Sequence, residues 1–248
     1  MTHVVLITGG SRGIGAATAL LAAAQGYAVA VNYTTNSLAV DEVVRRIRAS
    51  GGQAMAVQAD VAKESEVVAM FEKVDAKFGR LTALVNNAGV VDDMCRVDKI
   101  TTARLQRMFE VNVFGSFICA REAVRRMSTA HGGAGGSIVN VSSAAARIGS
   151  PGQYVDYAAA KGAIDTFTLG LAKEVAAEGI RVNAVRPGII ETDIHASGGQ
   201  PDKARLQGPT APMQRAGTAA EVAEAIVWLM SDKASYSTGV LLDVAGGR

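Results

Sequence analysis

The sequence predicts an α/β fold in which about seven parallel strands form a doubly wound sheet between two layers of helices, a three-layer α/β/α sandwich. Three observations predict it. Short apolar runs alternate with longer amphipathic stretches from one end of the 248-residue chain to the other. Several of the short runs are continuous in Val, Ile, Leu and Ala, the composition of strands covered on both faces. No linker divides the chain and no segment repeats, so a single domain spanning 1–248 is expected.

In chain order, the first strand is expected over 3–8, where His3-Val-Val-Leu-Ile-Thr8 runs into glycines, and the first helix over 13–25. Strands at 28–33, 54–58 and 83–86 alternate with helices at 37–49 and 64–78. A long helix over 102–127 follows, and the glycine-rich His131-Gly-Gly-Ala-Gly-Gly136 reads as a flexible connection into a fifth strand at 137–141. A second long helix, 153–178, precedes a strand at 181–185; helix 219–230 and strand 240–243 complete the series. Right-handed crossovers wind these units into layers. The two long helices carry apolar residues around much of their circumference, Phe109, Phe114, Phe117 and Phe167 among them, and such helices need cover on more than one side. The stretch 189–212, with Gly198-Gly199, Pro201 and Pro209, reads as a mobile lid to a substrate pocket rather than a regular element.

Composition narrows the function. Apolar residues make up 49% and charged residues 19%, which argues for a packed core and against disorder. A formal charge of +2 is too near neutral for a nucleic-acid binder. The local basic clusters, Arg45-Arg46 with Arg48 and Arg121 with Arg125-Arg126, fall on helical stretches and read as solvated outer faces. Cys95 and Cys119 have no metal or redox spacing, and three scattered histidines support no metal site. Neither a signal peptide nor an uninterrupted bilayer-length apolar run is visible, so a soluble cytoplasmic protein is expected.

Two stretches carry chemistry. Thr8-Gly9-Gly10-Ser11-Arg12-Gly13-Ile14-Gly15 joins the first strand to the first helix, and its glycines allow a tight turn and close approach of a pyrophosphate to backbone N–H groups. The spacing differs from the Gly-x-Gly-x-x-Gly of the standard dinucleotide fingerprint, but its place between strand and helix favours a dinucleotide over a bare connection. The second stretch is Tyr157-Ala-Ala-Ala-Lys161. On a helix, residues four apart share a face, so a phenol and an ammonium are neighbours. A nearby cation favours the phenolate and draws its pKa from about 10 towards the working range of an acid–base catalyst.

Thr8-Gly9-x-x-x-Gly13-x-Gly15, Asn86-Asn87-Ala88-Gly89, Tyr157-x-x-x-Lys161 and Pro187-Gly188 occur in an order and spacing that resembles the classical short-chain dehydrogenases/reductases. The similarity covers nearly the whole chain and continues through Pro212-Met-Gln-Arg-Ala-Gly217, Glu221-Val-Ala and Ser237-Thr-Gly239. It implies a Rossmann-like sheet and reversible hydride transfer between a nicotinamide ring and a small-molecule carbonyl or secondary alcohol. On that resemblance Tyr157 is the general acid/base, Ser143 holds the carbonyl oxygen, Lys161 tunes Tyr157 and bonds the nicotinamide ribose, and Asn112 positions a water for proton relay. Ser142, beside Ser143, would point the other way if the strand continued. Tyr154 is a rival phenol, but the residue four ahead of it is Ala158, so it lacks the cation. The turn residues Gly9, Ser11, Arg12, Gly13, Ile14 and Gly15 are implied cofactor contacts. So are Asp60 and Val61 at the adenine, Asn87, Ala88 and Gly89 beside adenosine and ribose, and Pro187, Gly188, Ile190 and Thr192 at the carboxamide. Asn86 is as well explained by tying strands together.

Charge selects the cofactor. An acid after the second strand would bond a ribose 2′-hydroxyl and repel a 2′-phosphate. Here that strand ends Asn32-Tyr33-Thr34-Thr35-Asn36, without an acid, while Arg12 can face a phosphate and Thr34 can donate to it. NADP(H) is therefore expected over NAD(H). His195, Lys203 and Arg205 could meet an anionic substrate, but read more simply as exposed lid residues. The resemblance extends both to acyl-carrier-protein β-ketoacyl reductases and to glucose-type dehydrogenases, and implies a homotetramer, with Ala245 standing where relatives often have Asp. Other readings are an NAD-dependent sugar dehydrogenase, a nucleotide-sugar epimerase or dehydratase, and a non-catalytic NADPH-binding regulator on the same fold.

Overall fold

The residues of β1 (Val4–Ile7) alternate between two cores: Val4 and Leu6 face one, Val5 and Ile7 the other. A sheet built of such strands is covered on both sides. The computed structural model describes residues 3–248, with the side chains of His195 and Ala196 outside that description. After β1 come α1 (Gly13–Ala24), β2 (Ala28–Tyr33), α2 (Ser37–Ala49), β3 (Ala54–Gln58), α3 (Glu64–Phe78) and β4 (Ala83–Asn86). Next are α4 (Thr102–Phe109), α5 (Gly115–Met127), β5 (Gly136–Val141), α6 (Ala145–Ile148), α7 (Val155–Val175) and β6 (Ile180–Pro187). The chain ends with β7 (Ile190–Glu191), α8 (Ile194–Ser197), α9 (Lys203–Gln207), β8 (Gly217–Thr218), α10 (Ala219–Met230) and β9 (Leu241–Val244).

Seven strands form one parallel sheet in the order β3-β2-β1-β4-β5-β6-β9. The expected doubly wound, Rossmann-like sandwich is thus the observed fold. The face filled by Ile7, Val31 and Val85 packs on α1, α2 and α10 through Ala19, Val44 and Ile226. The opposite face packs on α3, α5 and α7 through Phe71, Ala120 and Ala172. Strand order reverses between β1 and β4, and the crevice beyond the carboxyl ends of strands at such a reversal is where this architecture takes ligands. Among the described residues no helix is long and apolar enough to cross a membrane.

Three expectations need correction. The helix expected over 102–127 is not continuous: α4 and α5 are separated by a five-residue π turn, Glu110–Phe114. Its cause lies in Asn112, whose side-chain amide donates to the Met108 carbonyl at 2.9 Å and competes with the helix ladder for it. The stretch 189–212 is not without regular structure, because β7, α8 and α9 lie within it. The basic cluster on α5 is not simply solvated. Arg126 donates to Asp75 at 2.6 Å and to the buried Glu122 at 2.9 Å, and its guanidinium lies over the Phe71 ring.

Candidate active site

Asparagines fix the turn after β1. Asn32 at the end of β2 accepts from the Gly9 amide at 3.1 Å and donates to the Ala59 carbonyl at 3.0 Å, joining the turn to β2 and β3. From the other side Asn87 donates to the carbonyls of Thr8 and Gly9 at 2.8 and 2.9 Å. Gly9 needs its missing Cβ twice over: its φ is +61°, and a Cβ would stand 2.9 Å from the Ala88 Cα. At Gly15 a Cβ would meet the Gly9 carbonyl oxygen at 2.6 Å. Asn86 ties strands as expected, donating to Asn140 at 3.0 Å and to the Ser116 carbonyl at 3.1 Å.

A cavity of about 400 Å³ opens beyond the carboxyl ends of these strands. Ile14, Asn87 and Gly89 line its nucleotide-side wall, and Pro187, Gly188, Ile190 and Thr192 line the wall after β6. Ser143, Tyr157 and Lys161 reach the same space. Ser143, whose Oγ accepts from the Ala145 amide at 3.1 Å, also acts on the Tyr157 phenol, lowering its pKa. Ser142 also touches the cavity, but its hydroxyl is committed to the Lys161 carbonyl at 3.2 Å. Asn112 is fully buried below Gly89: a Cβ on that glycine would come 2.8 Å from the Asn112 Oδ1 and 3.5 Å from the Lys161 Nζ. One face of Gly89 thus borders both polar groups.

The electrostatics depart from the expected pairing. Burial pushes the Tyr157 phenol up to about 12, against a smaller opposing pull from its bond to Ser143. Burial likewise pulls the Lys161 amine down to about 8, with Asp165 opposing. The Lys161 Nζ lies 5.7 Å from the Tyr157 ring centroid and donates to the Val141 carbonyl at 2.7 Å. Helical spacing does bring phenol and amine together. In this geometry, however, loss of solvent outweighs any lowering of the phenol by the cation.

Other expected contacts lie outside the cavity wall. Ser11 sits in the turn, and Gly13 faces Thr192, whose Cγ2 would be 3.3 Å from an added Cβ. Arg12 is exposed and donates to Ser197 at 3.1 Å, bridging the turn to α8. Thr34 is exposed beyond β2, where its carbonyl accepts from Gln58 at 2.9 Å. Asp60 folds back to accept from the Ala62 amide at 3.0 Å, while Val61 packs on Gly115 and Ala88 on Gly9. Helix α1 begins with Arg12 giving no side-chain cap and no acid in the first turn. Its leading amides and partial positive charge therefore suit a pyrophosphate. An uncapped helix start, a turn too tight for side chains and an adjoining cavity fit a nicotinamide dinucleotide.

A family profile described as Enoyl-(Acyl carrier protein) reductase matches residues 9–248. The chain is 58% identical over 245 residues to "Uncharacterized oxidoreductase YgfF" of Escherichia coli (strain K12), covering 99% of each. Its fold superposes with a TM-score of 0.90 on a short chain dehydrogenase of Burkholderia cenocepacia J2315 in complex with NADP, at 33% identity over 99% of this chain and 97% of the other. The chain belongs to the short-chain dehydrogenase/reductase family. A further member, the 3-ketoacyl-(acyl-carrier-protein) reductase of Brucella melitensis complexed with NADH, matches at a TM-score of 0.91 and 33% identity, over 99% of this chain and 98% of that one. This chain is accordingly an oxidoreductase of that family.

Within this short-chain dehydrogenase/reductase the sequence reading missed three features. Tyr154 does have a cation, supplied across the cleft: the Lys203 Nζ stands 4.4 Å from its ring centroid. Both residues line the cavity, so Lys203 is not simply an exposed lid residue. Arg205 is exposed and paired with Asp202, while the side chain of His195 lies outside the described residues. The third feature is a buried ion pair, Arg104 Nε to Asp156 Oδ2 at 2.7 Å, immediately before Tyr157. An acid beside the tyrosine is visible in the sequence; nothing local marks an arginine on another helix as its partner.

Proposed function

We propose that the protein reduces a small-molecule carbonyl with NADP(H), Tyr157 giving the proton. The convergence of Tyr157, Ser143 and Lys161 on one cavity beside the glycine turn carries this reading. When bound, the nicotinamide supplies a hydride. The turn from Gly9 to Gly15 and the first amides of α1 would hold the pyrophosphate, Asp60, Val61, Asn87, Ala88 and Gly89 the adenosine side, and Pro187, Gly188, Ile190 and Thr192 the carboxamide. Ser143 orients the substrate oxygen, and Tyr157 delivers a proton to it. A phenol held protonated is in the state that proton donation to a carbonyl oxygen requires. Lys161 then stabilises the phenolate left behind, and Asn112, below Gly89, leads a water towards the site. Residues 189–212 act as the lid of a single catalytic domain. The decisive experiment follows nicotinamide absorbance against a panel of ketones, acyl thioesters and sugars; tight cofactor binding with turnover on none would sink the reading.

The preference for NADP(H) rests on charge, since the two solved relatives carry NADP and NADH respectively. No acid stands within Asn32-Tyr33-Thr34-Thr35-Asn36 at the end of β2, and Arg12 lies in the turn. Exchanging its Ser197 contact for a 2′-phosphate would give the guanidinium an anionic acceptor in place of a neutral hydroxyl. Arg12→Ala should raise the Kd for NADPH about tenfold or more and leave that for NADH nearly unchanged. Equal effects on both in a fluorescence titration would remove Arg12 from this role. The exposed Phe114 and Phe117, the latter stacked on Phe167 at 3.7 Å between centroids, suit cover by further copies in a homotetramer.

A further inference from the structure

We infer that the far end of the cleft receives a carboxylate borne by the carbonyl substrate, with Lys203 as its counter-ion. This deepens the carbonyl-reductase reading and rests on it.

Helix α9 brings Lys203 into the cavity that Tyr157 and Ser143 line. There its Nζ lies over the Tyr154 ring and makes one long bond, 3.4 Å, to the Gln153 side-chain oxygen. Neither partner carries charge. Among the described residues no carboxylate is ion-paired to the ammonium, and the Arg248 guanidinium at the same cavity acts on it as a like charge. The contrast with the rest of the lid is informative. Arg205, two residues on, has Asp202 as its partner in the usual surface manner. Lys203 is half-buried, beside a like charge, and has no ion-paired acid among the described residues.

An amine removed from water without an anion is electrostatically unfavourable, and an arriving carboxylate relieves that condition. Val91, Ile148 and Ile194 line the same space. Partial burial among these apolar side chains strengthens such a pair relative to the same contact at an open surface. The reacting groups lie towards Ser143 and Tyr157, the latter in the first turn of α7 and three residues on from its N-cap, Tyr154. The fitting substrate is therefore an oxo-acid: a ketone joined through a short apolar spacer to a carboxylate. A second role for Lys203 competes with this one, in which the amine only latches the lid by resting on Tyr154.

The two are separated with methyl-ketone acids of increasing spacer length, 4-oxopentanoate, 5-oxohexanoate and 6-oxoheptanoate, each against its methyl ester and with NADPH supplied. At least one acid should exceed its ester in kcat/KM by about tenfold. Lys203→Met, which keeps the length and apolar stem, should reduce that ratio to near one through KM, and Lys203→Arg should restore part of it. A ratio near one in the native protein, or one that Lys203→Met leaves intact, would assign Lys203 to the latch alone. Calorimetric titration of the NADP+-loaded protein with hexanoate and with hexanamide tests the subsite independently of turnover. Hexanoate should bind more tightly, and the difference should vanish in Lys203→Met. Equal binding of the two overturns the subsite. Turnover on no ketone, with hexanoate still selected, overturns the reductase reading instead.

Discussion

Tyr157→Phe is expected to lower carbonyl reduction by about 10²–10⁴-fold while NADPH binding stays close to native. The substitution removes one oxygen from a half-buried ring and leaves the ring's packing against α4 and the π turn in place. What disappears is the phenol hydroxyl that Ser143 influences within the cavity. The native pH profile should carry the same signature. The phenol keeps its proton throughout the neutral range, so proton supply sets no limit there. The phenolate formed in the reaction, however, is stabilised by Lys161 only while the amine is charged, and that amine is pulled down to about 8. Reduction should therefore be level below that pH and decline above it. Single-turnover rates across pH, with cofactor affinity measured alongside, test both statements. Parallel loss of cofactor binding and turnover in Tyr157→Phe would mean the residue holds the fold or the nucleotide and is not the proton donor.

Arg104→Ala should be the most destabilising change near the site, by about 3–5 kcal/mol. Asp156 is fully buried at its side chain, and Arg104 grips both of its oxygens, at 2.7 and 3.2 Å. The same guanidinium donates to the Asp93 carbonyl at 2.6 Å, so one cation binds α4, the loop after β4 and the first turn of α7 together. Deleting it strands a carboxylate away from water. Removing both partners, as Arg104→Met with Asp156→Leu, should cost far less than the single change, because no charge is then left behind. Chemical denaturation of the three proteins measures this. A single-variant loss under about 1 kcal/mol would reduce the pair to the standing of an exposed ion pair. Because Asp156 adjoins Tyr157, the single variant should also slow reduction in the fraction that remains folded.

How far the sequence could be read follows from the distance over which each feature is determined. The strand–turn–helix from β1 to α1, the sheet and the Tyr157–Lys161 spacing are local patterns of apolar period, glycine and helical pitch, and each is found where it was expected. Asn86 belongs with them, since a polar residue at the end of an apolar strand has few uses other than tying its neighbours. The break at Glu110–Phe114 was less legible. An asparagine within a helix is usually a mild defect, and only the bonds of Asn112 to the Met108 carbonyl and to the Val90 backbone turn it into a change of helix type. Lys203 over Tyr154, and Arg104 on Asp156, were out of reach for the same reason: each joins segments about fifty residues apart, and no period or motif encodes such a meeting. The level of the Tyr157 proton was misjudged because spacing reveals a neighbouring charge but not the solvent that burial removes.

The hold of Asn32 and Asn87 on the Gly9 turn bears on how quickly and tightly a nucleotide is taken up. A glycine-rich segment left to itself samples many backbone states, and freezing it on contact would consume roughly 1–2 kcal/mol per residue of the attraction. Here two side-chain amides have already settled the shape during folding. Encounter then meets a finished receptor, and the ordering penalty on arrival falls mainly on the visiting molecule.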